Sequence, residues 1–252
     1  MTSTVSLERL IRIMRHLRDP QLGCVWDQAQ TFATIAPYTI EEAYEVADAI
    51  DRQDPVALCE ELGDLLLQVV FHSQIADELG IFDFATVANG IADKMEARHP
   101  HIFGDAAGTM DTARWEDLKA AERDTKGQSS AMDGVANALP ALVRAQKLQA
   151  RAARDGFDWP DKQRPLDKLM EEVEEFTAAS DDEAKLEEAG DLLFAAVNVI
   201  RAHDIEPEAA LRAANKKFER RYRTMERLAA NRFSKLTPEQ QEALWQQVKN
   251  EE

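Results

Sequence analysis

Residues 166–196, LDKLMEEVEEFTAASDDEAKLEEAGDLLFAA, decide the reading of this chain. The segment reads as two amphipathic helices, Leu166–Ala179 and Glu183–Ala202, joined by a short polar turn at Ser180–Asp182. Glu172 and Glu175 stand three apart on the first helix, and Glu188 and Asp191 three apart on the second. Residues spaced i, i+3 share a helix face. An antiparallel hairpin therefore directs four carboxylates toward one region. Like charges repel, so such a cluster calls for a cation, and hard oxygen donors suit Mg²⁺ or Mn²⁺. The first expectation is a divalent-metal site that handles phosphates.

The rest of the chain sets the context. It has 252 residues, with 30 Lys plus Arg against 47 Asp plus Glu, a net charge of −17. That balance argues against general nucleic-acid binding through a basic face. A small anionic ligand stays compatible with it, because a metal and local cations reverse the potential within one cleft. With 10 Gly and 9 Pro the composition favours long helices over a β-rich fold. Cys24 and Cys59 read as reduced, packed thiols rather than a disulfide or a zinc site. No apolar run reaches the roughly 20 residues of a membrane span. Arg9, Arg12, Arg15 and Arg18 give the N-terminus a basic look, but Leu7, Leu10, Ile11, Met14 and Leu17 follow a helical period and Glu8 and Asp19 interrupt the charge. A first helix of the mature fold, and a cytoplasmic protein, are expected.

The elements of the hairpin occur twice. RDPQLGCVWD (18–27) pairs with RDGFDWPD (154–161), EEAYE (41–45) with EEVEE (171–175), and EELGDLLLQVV (60–70) with EEAGDLLFAAV (187–197). KMEAR (94–98) pairs with KFERR (217–221), and WEDLK (115–119) with WQQVK (245–249). Five blocks in one order identify a tandem duplication. The expected copies are 5–123 and 137–252, joined by a small, polar linker over 124–136. In the first copy, Thr39 is a plausible N-cap for a helix over Ile40–Ile50. Val56–Leu79 follows with Gly80 closing it, then Phe84–Ala97 and a short helix over Arg114–Arg123. In the second copy, Leu139–Arg154, Pro207–Asn231 and Pro238–Glu252 flank the hairpin.

The paired EExxE…ExxD pattern, with GCVWDQAQTFATIAPYT ahead of the first copy, resembles the MazG nucleoside triphosphate pyrophosphohydrolases of the two-domain bacterial type. The likeness covers nearly the whole chain; Val25 departs from the proline the family more often carries. It implies an all-α fold with a metal site on a helical hairpin in a dimer-completed bundle. It also implies Mg²⁺-dependent hydrolysis of ribo- and deoxynucleoside triphosphates to monophosphate and pyrophosphate, and a homodimer with helices of both subunits near the site. It assigns metal ligation to Glu172, Glu175, Glu188 and Asp191.

Other side chains divide between ordinary and functional roles. Glu171 and Glu187 are surface glutamates or groups that orient and deprotonate water, with Glu171 favoured. Lys168 and Lys185 form simple i, i+3 pairs worth about 0.2–0.5 kcal/mol, or, by the family likeness, offset the charge of a triphosphate. Lys217 and Arg221, at i, i+4, form a solvated stripe or a phosphate clamp. Trp245 anchors the last helix or, with Lys249, holds a nucleotide. Asp64 and Asp191 sit among leucines, which suggests buried carboxylates that need a partner. The first copy keeps Glu42, Glu45, Glu61 and Asp64 as a second metal set, yet has Tyr38 and Leu58 where the second has Lys168 and Lys185. The C-terminal copy is therefore expected to be the main catalytic unit. Two rival readings are a ferritin-like di-metal protein, which would need a second ExxH beside Glu96–His99, and a helical regulatory or dimerisation module with decayed sites.

Overall fold

The computed structural model describes residues 3–104, 130–230 and 232–251. Every regular element among them is helical. The chain divides into two compact units, Met1–Leu118 and Lys119–Glu252. The helix expected over Arg114–Arg123, with Trp115 and Lys119, lies outside the described residues, as do residues 124–129 of the linker. No helix among the described residues is long and apolar enough to cross a membrane.

The first unit contains α1 (Ser3–Leu17), the short α2 (Val25–Gln28), α3 (Phe32–Asp51), α4 (Pro55–Glu78), α5 (Phe84–Arg98) and the short α6 (Pro100–Phe103). α3 and α4 form the main hairpin, with α1 and α5 packed on α4. The hairpin turn is fixed locally. Gln53 takes a left-handed backbone (φ 55°), the Asp54 carboxylate accepts from the amides of Val56 and Ala57, and Pro55 opens α4, where its missing N–H costs nothing. At the other end Gly80 (φ 67°) leaves α4 in the left-handed region that glycine enters without strain. The core is Met14, Ile35, Val70, Phe71 and Ile75, drawn from α1, α3 and α4. Each such burial is worth about 1.5–3 kcal/mol, so this end of the hairpin is the anchored one.

α3 begins earlier than the sequence suggests. Its N-cap is Thr31, which exchanges hydrogen bonds with Thr34 in a capping box, and Thr39 lies inside the helix. Pro37 is accommodated there although a proline removes one i→i−4 bond. Early initiation brings Phe32 against the core and onto the His72 ring, centroids 5.9 Å apart.

The second unit contains α7 (Ala141–Arg154), α8 (Gln163–Ala178), α9 (Asp182–Ala202), α10 (Pro207–Leu228), a 3₁₀ turn (Phe233–Lys235) and α11 (Pro238–Asn250). α8 and α9 form the hairpin; α7 packs on α9, and α10 packs on α7 and α11. Asp181 caps α9 through the amides of Glu183 and Ala184, as Asp54 caps α4. Arg151 holds the preceding segment by donating to the carbonyls of Ala131 and Asp133. Arg201 fixes the α7–α8 loop through Asp158, 2.6 Å away. The all-helical, duplicated architecture agrees with the sequence. The cysteines do not: both thiols are free, but Cys24 and Cys59 are exposed rather than packed.

Candidate active site

In the first hairpin the acidic residues lie between the anchored end and the turn. From Ile35 to Glu42 is seven residues, about 10 Å along a helix. The helical repeat of α3 and α4 carries Glu42, Glu45 and Glu61 together, each offering an oxygen within 4.8 Å of the others. In the second unit Glu172, Glu188 and Asp191 meet the same limit. Three of the four expected carboxylates thus converge in each copy, and a different one stands back: Asp64 in the first, Glu175 in the second. Both remain close enough to act electrostatically, Asp64 on Glu42 and Glu61, and Glu175 with Glu172 and Glu188.

Burial corrects one expectation. Asp64 and Asp191 are exposed in the chain. Their leucine neighbours in sequence point to other faces of the helix, so sequence adjacency overstates their apolar surroundings. The buried acid is Glu172, at 6% exposure. Its counter-ion is Lys168, one turn earlier, whose Nζ lies 2.8 Å from Glu172 Oε1, 2.6 Å from Glu171 Oε1 and 3.9 Å from Glu175 Oε2. Hydrogen bonds to Glu171 and Glu172 push the Lys168 ammonium group above its ordinary range.

The carboxylates register their crowding. Glu42 is raised above the ordinary 4.5, first by burial and then by Asp64 and Glu45. Glu61 is raised by burial, Glu45 and Asp64, with Arg52 opposing. Glu175 is raised by burial, against the pull of Lys168 and with the push of Glu172, Glu171 and Glu188. Carboxyls held from ionising by burial and by one another's charge are what a hard cation relieves. The all-oxygen donor sets, converging within one ion's reach, fit Mg²⁺ or Mn²⁺.

The basic and aromatic candidates assemble on another helix pair. Arg221 of α10 lies over the Trp245 ring of α11, 5.4 Å from its centroid. Phe218 packs on the same indole at 5.7 Å and continues to Tyr222 at 6.1 Å. Lys217 and Lys249 are exposed, and Trp245 and Arg221 half-buried. Lys217 and Arg221 share a face, as do Trp245 and Lys249. The group is therefore both an anchor and a cationic surface. Phe218 and Tyr222 were not singled out from sequence; their signal was the i, i+4 spacing beside Lys217 and Arg221. Glu171, Glu187 and Lys185 are exposed on the hairpin.

Comparison with known proteins agrees with this layout. Residues 30–103 match the model of the MazG nucleotide pyrophosphohydrolase domain, and residues 144–218 match that of phosphoribosyl-ATP pyrophosphohydrolase. The chain is similar to a nucleoside triphosphate pyrophosphohydrolase of Escherichia coli strain K12, 51% identical over 98% of both chains. It is similar to a nucleoside triphosphate pyrophosphohydrolase/pyrophosphatase of Thermotoga maritima, 44% identical over 89% of this chain and 87% of that one. A Bacillus subtilis protein, YabN, is 43% identical over 95% of this chain and 51% of its own length. Two hairpins with converging carboxylates, two matched domains and full-length identity lead to one conclusion: the chain belongs to the MazG family.

Proposed function

We infer that this protein hydrolyses nucleoside triphosphates, ribo- and deoxy- alike, to the monophosphate and pyrophosphate, and that the second copy, 137–252, does most of the work. The supporting observation is the α8–α9 hairpin, where Glu172, Glu188 and Asp191 converge beside a lysine. The names of the relatives support the reaction class.

In this reading Glu172, Glu188 and Asp191, with Glu175 completing the set, hold Mg²⁺ or Mn²⁺. When bound, such an ion would supply charge neutralisation at the phosphates and make the attacking water more acidic. Glu171 takes the proton of the water that attacks the α-phosphorus, and Glu187 helps orient it. Lys168 and Lys185 offset the charge gathering on the departing pyrophosphate. Lys217, Arg221 and Lys249 add cationic surface, and Trp245 a stacking plane indifferent to base identity. In the first copy Tyr38 and Leu58 replace the two hairpin lysines. Its carboxylates, Glu42, Glu45, Glu61 and Asp64, form a secondary metal site with less phosphate-binding charge.

The same reading includes a homodimer. Leu186 and Leu193 are 77% and 60% exposed on α9, and Gly190 lies between them with nothing within 4 Å of where a Cβ would stand. Gly63 repeats this in α4. A mid-helix glycine costs about 1 kcal/mol, and close approach of a second subunit gives both glycines a purpose.

The test is pyrophosphate release over a panel of ribo- and deoxynucleoside triphosphates with Mg²⁺. Asp191→Ala and Glu172→Ala should lower the rate at least a hundredfold, while Glu42→Ala keeps most of it. The opposite ranking would transfer catalysis to the first copy. Oxygen from labelled water should appear in the monophosphate; label confined to pyrophosphate excludes attack at the α-phosphorus.

A further inference from the structure

We propose that Lys168 is a resident counter-ion of the metal site, occupying the carboxylates when no metal is bound and leaving them when one binds. This rests on the reading of the α8–α9 hairpin as a divalent-metal site. The geometry that carries it is the sharing of Glu172. This residue is the buried member of the converging triad with Glu188 and Asp191. Its carboxylate is also bonded to Lys168 at 2.8 Å. A buried carboxylate without a partner is strongly disfavoured. Lys168 answers that need from within the same helix, and it reaches Glu171 and Glu175 as well.

A divalent cation held by Glu172, Glu188 and Asp191 would stand close to this ammonium group. Two cations that share one carboxylate repel each other. The lysine is 39% exposed on a flexible four-carbon stem, so it has somewhere to go. Displaced from Glu172, it stays tethered one turn from the metal, beside the exposed Glu171, with its charge no longer committed to the buried carboxylate. Metal binding therefore both fills the site and releases a cation for an incoming phosphate. The sequence supports the exchange by contrast: the matching position of the first copy is Tyr38, which carries no charge to exchange.

The exchange makes a prediction opposite to that of a lysine acting on phosphate alone. Removing a competitor should tighten metal binding in the absence of nucleotide. The measurement is Mn²⁺ binding to the full chain by electron paramagnetic resonance, without nucleotide, in a Glu42→Gln, Glu45→Gln background that silences the first copy. Lys168→Gln should bind Mn²⁺ about tenfold more tightly and melt at a lower temperature in EDTA. Lys168→Arg, which keeps the charge, should stay near the parent affinity. Unchanged or weakened Mn²⁺ binding in Lys168→Gln overturns the proposal. Glu172→Gln separates the two levels. If it abolishes Mn²⁺ binding while Lys168→Gln does nothing, only the exchange fails; if it leaves binding intact, the metal-site reading fails with it. A second measurement needs no variant. In the unsubstituted chain the ¹⁵N-lysine signal of the Lys168 ammonium group should be sharp in EDTA and lost or shifted with Mg²⁺. A signal indifferent to Mg²⁺ would also overturn the exchange.

Discussion

The pair Arg18–Glu78 offers the sharpest test of how the first unit is held together. Arg18, at the end of α1, is only 8% exposed. Its Nε and Nη2 donate to the two Glu78 oxygens at 2.7–3.1 Å, and its Nη1 donates to the carbonyls of Asp27 and Gln30 at 2.5 and 3.2 Å. One guanidinium thus ties the α1–α3 loop to the end of α4. Glu78→Gln keeps the shape and removes the charge. Breaking a buried pair from one side costs roughly 3–5 kcal/mol. The Glu78 side chain is 35% exposed, so water recovers part of that, and about 2 kcal/mol is expected. At about 4–5 °C per kcal/mol for a unit of this size, the N-terminal transition in calorimetry should fall by roughly 10 °C. Burial alone would raise the Glu78 pKa, but bonds from Arg18 and Gln74 outweigh it and hold the group below 4.5. A depressed acid contributes stability above its unfolded value and loses it as pH falls through the folded one. The gap between parent and variant should therefore be full at pH 6 and shrink below about pH 4.5. Pyrophosphate release below the transition should be little changed, since catalysis is assigned to the other copy. A variant within 0.5 kcal/mol of the parent at pH 6 would show that the buried pair does not hold the loop.

Three further outcomes follow from the second unit. Trp245→Leu, which removes the ring under Arg221, should raise KM for nucleoside triphosphates about three- to tenfold with kcat nearly unchanged; an equal fall in kcat would place the indole at the reacting phosphates. Gly190→Ala should stabilise an isolated helix by about 1 kcal/mol, but should shift the chain toward monomer in sedimentation velocity if a second subunit packs there. A dimer at least as tight as the parent's would refute close approach at that glycine. Leu193→Glu should dissociate the same dimer outright, read by the same sedimentation.

Much of this fold is legible in the sequence because its elements are long and periodic. One acidic i, i+3 pair in each copy, Glu42 with Glu45 and Glu188 with Asp191, converges with a single carboxylate of the facing helix, and the shared face of each pair follows from helical geometry. The start of α3 was hidden for a local reason. Its capping box uses threonine at both positions, Thr31 and Thr34, instead of the Ser/Thr and Glu/Gln signature. Depth of burial was hidden for a different reason. Glu172 and Asp191 both occupy acidic patterns among apolar residues, but which of them is covered depends on α8–α9 packing, which no window of sequence contains. The Arg18–Glu78 pair spans 60 positions, so neither residue announces the other.

The two copies also separate two requirements that one active site combines. Converging carboxylates are one requirement of a divalent-ion site, and both hairpins have them. Triphosphate chemistry adds a second demand, because the metal and its acidic ligands together leave little net positive charge for a substrate that is itself an anion. That demand falls on side chains beside the ligands. In the proposed reading the lysines at 168 and 185 of α8 and α9 meet it, and Lys168 is already within the carboxylate cluster. In α3 and α4 a tyrosine and a leucine occupy those positions, where Glu42 and Glu61 are raised first by burial and then by their acidic neighbours. Placing a lysine at position 38 should then supply what the first copy lacks. Tyr38→Lys in a Glu172→Ala background should recover measurable pyrophosphate release above Glu172→Ala alone. No recovery would mean that the difference between the copies lies beyond the hairpin cations.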